Sequence, residues 1–294
     1  MRNALYIGLV CVLFFGTTSA QTTHYLIVTH EDFKNAIQPL AEWKHKKGVP
    51  TNVVSVPSEI REIIYKEWKN SGEELEYVLL VGDLSRIPVG QDYPPCRSDN
   101  YYANMKGYFK AELSVGRFPC TNAIECSTMV SKTFAYERTP FLDDTLWFKW
   151  STIVIRFDHE GDTTGYYVGD FYYIRDTCMV PMGFIVDSLF YREGYGWHNQ
   201  EPDSARQVIE DLNEGRSYLV YRGHSEGDWY EPFGGIPDSF SLNNGAKLPL
   251  VFAGTCTTLL YNTTVGEKWL RIGTPQNLRG ALAYIGNSTT GSSI

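Results

Sequence analysis

The spacing of apolar positions switches repeatedly along the chain between short runs and a helical period. Short apolar runs bounded by glycine or polar residues predict strands, and apolar residues three or four apart predict amphipathic helices. The predicted strands are 25–29, 51–56, 77–81, 151–157, 184–189, 217–221, 248–253 and 281–285. The predicted helices are 33–47, 58–70, 122–137, 166–178, 203–214 and 266–271, and residues 86–118 are predicted to be irregular. This alternation favours an α/β fold with a mostly parallel sheet covered by helices on both faces.

Two subdomains are expected within the chain of 294 residues, 43% of them hydrophobic. That length is sufficient for a sizeable core in each half. The proline-containing stretch 140–145 follows a predicted helix and predicts a joint. We therefore expect an N-terminal α/β subdomain at 21–140 and a second subdomain at 141–294.

The first 20 residues have the pattern of a signal peptide. Arg2 supplies the positive start, residues 5–15 are apolar, and small residues at 18–20 form a cleavage site. The apolar run is shorter than the roughly 20 residues that span a bilayer. We expect an exported protein, secreted or in the cell envelope, whose mature chain has no membrane span.

The net charge of the chain and the spacing of its Cys and His residues argue against nucleic-acid binding and zinc binding. The formal net charge of -8 argues against a nucleic-acid-binding surface. The sequence contains no Cys-x-x-Cys or His-x-x-x-His spacing, so it does not predict a zinc site. We expect no required cofactor and no nucleic-acid partner.

Five cysteines remain after removal of the predicted signal peptide, and an odd number in an exported protein predicts at least one reactive thiol. Cys256 is the candidate for it. The partners of the other four are left open by the sequence: Cys96, Cys120, Cys126 and Cys178.

Two of the predicted strands deliver side chains that could perform thiol chemistry. Residues 217–221 lead through a glycine to His224, and residues 248–253 lead through another glycine to Cys256. The carboxyl ends of parallel strands form one edge of a sheet, where active sites lie. A thiol needs a neighbouring base to become a nucleophile, and His224 is the candidate base. The alternative is an ordinary core, because cysteine is among the most buried residue types.

The residues around this pair resemble the catalytic core of the gingipain-like cysteine endopeptidases, which belong to the caspase-like peptidases. The resemblance lies in YRGHSEGDW at 221–229 and LPLVFAGTC at 248–256. It extends over most of the chain after residue 20, through HYLIVTH at 24–30, PLAEWK at 39–44, YVLLVGD at 77–83, SDNYY at 98–102, VGRFP at 115–119 and GALAYIGNS at 280–288. It implies a caspase-like fold in which residues 141–294 form the catalytic subdomain, with protein or peptide substrates.

The resemblance also implies an oxyanion hole made by the backbone N–H groups of Cys256 and of the residue after the histidine. That residue is usually glycine in the family, and here it is Ser225. Serine does not easily adopt a positive φ, so a hole that required one would be impaired. The family's domain also normally continues beyond the segment that ends this chain, so we expect the catalytic subdomain to be truncated at its C-terminal end.

A third catalytic member would be an acid that orients the imidazole of His224. The candidate is Asp158, which follows the predicted strand 151–157 at the same sheet edge. The alternatives for the acidic loop 158–162 are a solvated loop and a weak structural calcium site.

Some members of the family cut after Arg or Lys by presenting an acid to that cation. Asp170, Asp228 and Glu231 are the candidates for this acid, and the sequence does not choose among them. A preference for basic residues at P1, the substrate residue before the cleaved bond, is therefore a hypothesis.

Two other functions are compatible with the sequence. One is a catalytically inactive surface or binding module of the same fold, suggested by Ser225 and by the chain's end. The other is a thiol enzyme that is not a peptidase, such as an amidase or transferase.

Overall fold

The structure is a computed structural model. It describes residues 22–55, 58–93, 96–107, 110–157, 166–192, 201–259 and 264–289. The predicted signal peptide at 1–20 and the loop that carries Asp158 lie outside the described residues.

Strands and helices alternate along most of the described chain. The strands are β1 (Tyr25–Thr29), β2 (Thr51–Ser55), β3 (Tyr77–Val81), β4 (Gln91–Tyr93), β5 (Cys96–Arg97), β6 (Ser114–Phe118), β7 (Trp150–Phe157), β8 (Ile185–Arg192), β9 (Tyr218–Arg222), β10 (Ser225–Glu226), β11 (Asp228–Trp229), β12 (Leu250–Gly254), β13 (Gly273–Thr274), β14 (Asn277–Leu278) and β15 (Ala283–Gly286). The α-helices are α1 (Lys34–Lys46), α2 (Ile60–Asn70), α3 (Ala123–Glu137), α4 (Tyr166–Tyr172), α5 (Glu201–Glu214) and α6 (Val265–Arg271).

The first half forms a parallel sheet with the strand order β2-β1-β3-β6. Alternate side chains of a strand point to opposite sides of the sheet. In the central strands β1 and β3 the side chains on both sides are buried. Leu26 and Val28 of β1 pack with α2 on one face, whereas Ile27 packs with α1 and α3 on the other. The result is a sheet between two helical layers.

The second half forms a parallel sheet with the order β15-β12-β9-β7-β8. Leu219 and Val251 face α5 and α6 on one side of this sheet. Ile155 and Val220 face α4 and the π-helical segment Tyr173–Met179 on the other side. The predicted fold class, a mostly parallel α/β sheet with helices on both faces, is confirmed. The division of the chain at residue 140 stays a prediction.

Strand β6 lies in a segment that was predicted to be irregular. It is an edge strand whose side chains are all exposed or half-buried, so it lacks the apolar run that marks a buried strand. Its register with β3 is supported by Arg117, whose guanidinium forms a bidentate pair with Asp99 and donates to the carbonyl oxygens of Gly82 and Ile87. Long-range polar contacts of this kind have no local sequence signature.

Basic side chains connect the two halves of the molecule. Lys132 on α3 is almost fully buried, and its ammonium group donates to the carbonyl oxygens of Trp269 at 3.2 Å and Leu270 at 2.8 Å, in the last turn of α6. Arg271, at the end of α6, donates to the carbonyl oxygen of Pro119 at 2.6 Å. A cation at a helix C-terminus satisfies carbonyl groups that have no partner within the helix. These contacts fix α6, which packs behind the candidate site, against the first half.

Within the described residues, no helix combines the length and apolar character that a membrane crossing requires.

We predict that Lys132 makes the stability of the protein rise with pH above neutrality. Burial, with a smaller contribution from Arg279, lowers the pKa of Lys132 to about 7 in the folded protein, whereas an unfolded lysine has a pKa of about 10.4. Unfolding therefore takes up a proton between these values, and the free energy of unfolding increases as the pH rises through that window. Urea unfolding from pH 7 to about pH 9 should show wild type gaining stability relative to Lys132→Met.

The loss of the donor to two buried carbonyl oxygens adds a cost of about 1–3 kcal/mol to Lys132→Met, which displaces its pH profile without changing the slope. Lys34→Met, at an exposed position on α1, is the matched control and should change little. Parallel pH profiles for wild type and Lys132→Met would contradict the prediction.

Candidate active site

The register of two neighbouring strands places His224 and Cys256 at the same sheet edge. Strands β9 and β12 are parallel, and Arg222 is paired with Gly254 at their carboxyl ends. His224 and Cys256 each follow these paired residues by two positions, so both leave the sheet at the same level. Both side chains are half-buried. The register therefore leads both residues away from the carboxyl edge of the second sheet, and their catalytic roles stay a prediction.

Direct hydrogen bonds join the two loops that carry His224 and Cys256. The hydroxyl of Thr255 donates to the hydroxyl of Ser225 at 3.2 Å, and the Ser225 hydroxyl donates to the carbonyl oxygen of Cys256. Ser225 is buried, so water competes little for these bonds. The backbone around Cys256 is thereby held at a fixed place relative to the backbone around His224.

The loop after Cys256 is held from its other side by the segment that follows β15. The amide of Asn287 donates to the carbonyl oxygen of Thr255 at 2.9 Å, and the N–H of Thr257 donates to the carbonyl oxygen of Thr289 at 3.0 Å. Thr257 itself has a φ of 44°, in the left-handed region. Such a conformation costs a β-branched residue about 1–3 kcal/mol, and it persists only where surrounding contacts impose it.

Ser225 does not have the positive φ that would impair a serine in place of glycine. It lies in β10, in extended conformation, and pairs with Trp229 of β11. The positive φ of this hairpin, 80°, belongs to Gly227 at the turn. The predicted impairment therefore has no basis in the backbone. The oxyanion role of the N–H groups of Ser225 and Cys256 stays a prediction.

Aromatic residues fix the loop of His224. The ring of Tyr230 lies 6.1 Å from the imidazole, with 30° between the planes, and its N–H donates to the carbonyl oxygen of His224 at 3.1 Å. The hydroxyl of Tyr221 donates to the same carbonyl oxygen at 2.9 Å. Burial raises the pKa of Tyr221, which keeps this hydroxyl protonated and able to donate.

Arg156 supports Tyr230 from within the protein. Its guanidinium lies 5.3 Å from the centre of the Tyr230 ring, and its Nε donates to the carbonyl oxygen of Glu231 at 2.7 Å. A side chain at Gly223 would lie 2.9 Å from the Cβ of Arg156 and 2.8 Å from the Tyr221 hydroxyl. Glycine before His224 therefore allows the close packing of these residues.

The three acids predicted for a substrate pocket lie in different surroundings. Asp170 on α4 lines a cavity of about 290 Å³ against the sheet, together with Arg222 and Gly254. Asp228 accepts from the backbone N–H groups of Trp229 in its own hairpin and of Gly235 further along the chain, and desolvation raises its pKa. Glu231 contributes its carbonyl oxygen to Arg156. Of the three, only Asp170 lines this cavity.

The remaining predictions for the site concern residues that are not described. Asp158 and the acidic loop 158–162, with its predicted calcium alternative, lie outside the described residues. Among the residues that the structure does describe, no group of three or more His, Cys, Asp or Glu side chains is arranged to hold a metal ion.

Several residues that shape the site had no role in the sequence analysis: Arg156, Tyr230, Thr255, Thr257 and Asn287. Arg222, like Thr255 and Asn287, lies within a motif that carries the family resemblance, but no role was predicted for it. The alternation of side chains along a strand indicates a place for Arg222 in the site. Arg222 and His224 are two positions apart at a strand end, and residues at this spacing point to the same face of a sheet. The contacts of Arg156 and Asn287 are long-range and have no such signal.

We predict that Ser225→Ala slows reactions of the Cys256 thiol by about tenfold. The alanine keeps its backbone N–H but loses the two hydrogen bonds of the Ser225 hydroxyl, from Thr255 and to the carbonyl oxygen of Cys256, that join the two loops. Small displacements of reacting groups have effects of this size or larger. The measurement is the rate of Cys256 alkylation, followed by peptide mass mapping, with Ser239→Ala as a distant control. An unchanged rate would show that the hydroxyl does not position the loop.

We also predict that Tyr230→Phe retains this reactivity, whereas Tyr230→Ala lowers it about tenfold. Phenylalanine keeps the ring beside His224 and Arg156, and alanine removes it. Alkylation rates of the two variants would be compared, with circular dichroism spectra as the control for folding. Equal rates for both variants would contradict a positioning role for the ring.

Comparison with known proteins finds gingipains among the relatives of this chain. Gingipain R2 of Porphyromonas gingivalis is 26% identical over 253 residues, which cover 81% of this chain and 33% of the relative. Lys-gingipain W83 of Porphyromonas gingivalis is 23% identical over 282 residues, which cover 90% of this chain and 15% of the relative. This chain therefore spans about a third or less of the length of these relatives.

A solved structure has the same fold. The crystal structure of the Arg specific cysteine proteinase gingipain R (RGPB) superposes with a TM-score of 0.79 at 21% identity, covering 92% of this chain and 64% of that chain. The model of peptidase family C25 matches residues 18–294, nearly the whole sequence. On that match, with His224 and Cys256 at one edge of a fold shared with gingipain R, this chain belongs to peptidase family C25.

Proposed function

We propose that the protein is an exported cysteine endopeptidase in which His224 activates the thiol of Cys256. The observation that carries this proposal is the register of β9 and β12, which brings the two residues to one level of the sheet edge. The hydrogen bonds through Ser225 support it, because they hold the two loops together.

In this mechanism the imidazole of His224 takes the proton of the Cys256 thiol, and the thiolate attacks the carbonyl carbon of a peptide bond. The imidazolium then gives its proton to the leaving amine, which leaves a thioester on Cys256. A water molecule, deprotonated by His224, hydrolyses the thioester and releases the second product. The N–H groups of Ser225 and Cys256 would stabilise the negative oxygen in both steps.

Two finer roles complete the proposal. Asp158 is proposed as the acid that orients the imidazole of His224, by its position directly after β7. The Cys–His chemistry itself needs no cofactor, and calcium is proposed only as a structural ion at the loop 158–162. Export is proposed from the N-terminal pattern, and proteins or peptides outside the cell are the proposed substrates.

The sequence left a preference for Arg or Lys at P1 as a hypothesis, and such a preference requires Asp170 to be available to the cation of the substrate. The solved relative is described as an Arg specific cysteine proteinase and another relative is named Lys-gingipain, which says this of those proteins. In this chain Asp170 is the candidate acid that lines the cavity beside the strand ends, and Arg222 lies within ion-pair distance of it. Peptides that differ only at P1 test the hypothesis, and it fails if neutral residues are cut best.

The decisive experiment labels the protein with a set of peptidyl chloromethyl ketones that differ at P1, followed by intact mass measurement and turnover of matched peptides. Wild type should take one label per chain. Cys256→Ala should take none, and His224→Ala should be labelled at least about a thousandfold more slowly, because nucleophile and base act as one unit. Cys178→Ala is the matched control and should behave like wild type.

Each alternative function has its own outcome. Absence of labelling in a folded sample, with every P1 residue, would replace the proposal by a non-catalytic binding module. Labelling at Cys256 without turnover of any peptide would favour a thiol amidase or transferase.

A further inference from the structure

A cavity at the carboxyl ends of β9 and β12 lies between one face of the second sheet and the helical layer above it. The sheet contributes Ile155 of β7, Val220 of β9 and Phe252 of β12. The helical layer contributes Phe171 of α4 and Ile174 of the π-helical segment. The wall is therefore mainly apolar. Its volume of about 290 Å³ is close to the lower end of the range for ligand pockets.

The cavity reaches the carboxyl ends of β9 and β12, two positions before the candidate dyad. Arg222 and Gly254, which are paired across the two strands, both line it. We assign the P1 side chain of a peptide bound at Cys256 to this cavity, because the cavity reaches the two strand ends from which His224 and Cys256 follow.

The side chain of Arg222 extends from β9 over Gly254 of β12, where there is no side chain in its way. Its Nη1 donates to the carbonyl oxygen of Gly254 at 2.8 Å. A Cβ at Gly254 would lie 3.3 Å from the Cδ of Arg222, which is tighter than ordinary contact. The guanidinium is thus held at the strand end by both a hydrogen bond and the shape of the neighbouring strand.

The same guanidinium faces the one acid among the three candidates that lines the cavity. The Nε of Arg222 lies 3.5 Å from Oδ2 of Asp170. The Arg222 side chain is 26% exposed and the Asp170 side chain 54% exposed, so the pair is partly screened by water. A basic P1 side chain that approached Asp170 would either displace Arg222 or lie beside a second cation. Like charges placed together disfavour binding.

We infer that Arg222 determines specificity at P1. Its guanidinium pairs with Asp170, the acid that a basic P1 side chain would need, and the pocket therefore selects neutral, mainly apolar side chains. The inference rests on the proposed peptidase function. It concerns the chemical class of the substrate, which the dyad alone does not decide.

The test compares kcat/KM for peptides that are identical except for Arg, Lys, norleucine or phenylalanine at P1. Wild type should cut norleucine at least as well as arginine. Arg222→Gln removes the cation while keeping a polar side chain of similar length, and it should raise the ratio of arginine to norleucine turnover about tenfold or more. The double variant Arg222→Gln with Asp170→Asn should lose this gain. Arg206→Gln on α5 is the matched control and should leave the ratio unchanged.

Asp170→Asn alone is the second variant, at an exposed position where folding is little affected. If Arg222 already occupies Asp170, arginine turnover relative to norleucine should change by less than about threefold. A loss of about a hundredfold for arginine alone would show that Asp170 binds P1 directly and would overturn the inference.

Failure of the inference and failure of the proposed function give different results. Turnover of the peptides with the same ratio in wild type and Arg222→Gln would overturn the inference alone. No turnover with any P1 residue, together with no labelling of Cys256 by a peptidyl chloromethyl ketone, would overturn the peptidase function and the inference with it.

Discussion

The site depends on the in-register parallel pairing of β9 with β12. Pairing of Arg222 with Gly254 places the residues two positions further on, His224 and Cys256, at one level. A slip of one residue would move the entire apolar set of a strand to the other face, and both faces of this sheet are covered by helices. Burial on two sides therefore fixes the register, and the register fixes the site.

The packing behind the site reinforces this constraint. The ring of Tyr221, on β9, stacks on Trp229 at 4.3 Å with an angle of 6° between the planes, and the indole N–H of Trp229 donates to the hydroxyl of Tyr284 at 3.1 Å. These contacts connect β9, the hairpin after His224 and β15 in one core. Lys132 and Arg271 then join α6, which packs on that core, to the first half of the chain. These two contacts thus attach the core of the second sheet to the first half of the chain.

The sequence predicted the elements that carry continuous apolar runs or a clear helical period. Strand β1 is found at Tyr25–Thr29 as predicted, and α3 begins after Asn122. Ser58 was the predicted cap of helix α2, but Glu59, with a left-handed backbone, is the cap and the helix begins at Ile60. Strand β6 was missed because an edge strand with polar side chains has no apolar run. For the site, the sequence predicted the dyad from strand ends, whereas the pairing of Asp170 with Arg222 required the packing of α4 on the sheet.

The proposed mechanism requires His224 and Cys256 to lie within reach of one another at the ends of β9 and β12. Treatment with dibromoacetone tests it most directly, because this short reagent alkylates a thiol and then a nucleophile close to it. Peptide mapping by mass spectrometry should find one bridge that joins the peptide of Cys256 to the peptide of His224, and this bridge should be absent from Cys256→Ala. Modification of Cys256 without a bridge, or a bridge to a residue other than His224, would show that the two side chains are not placed to act together.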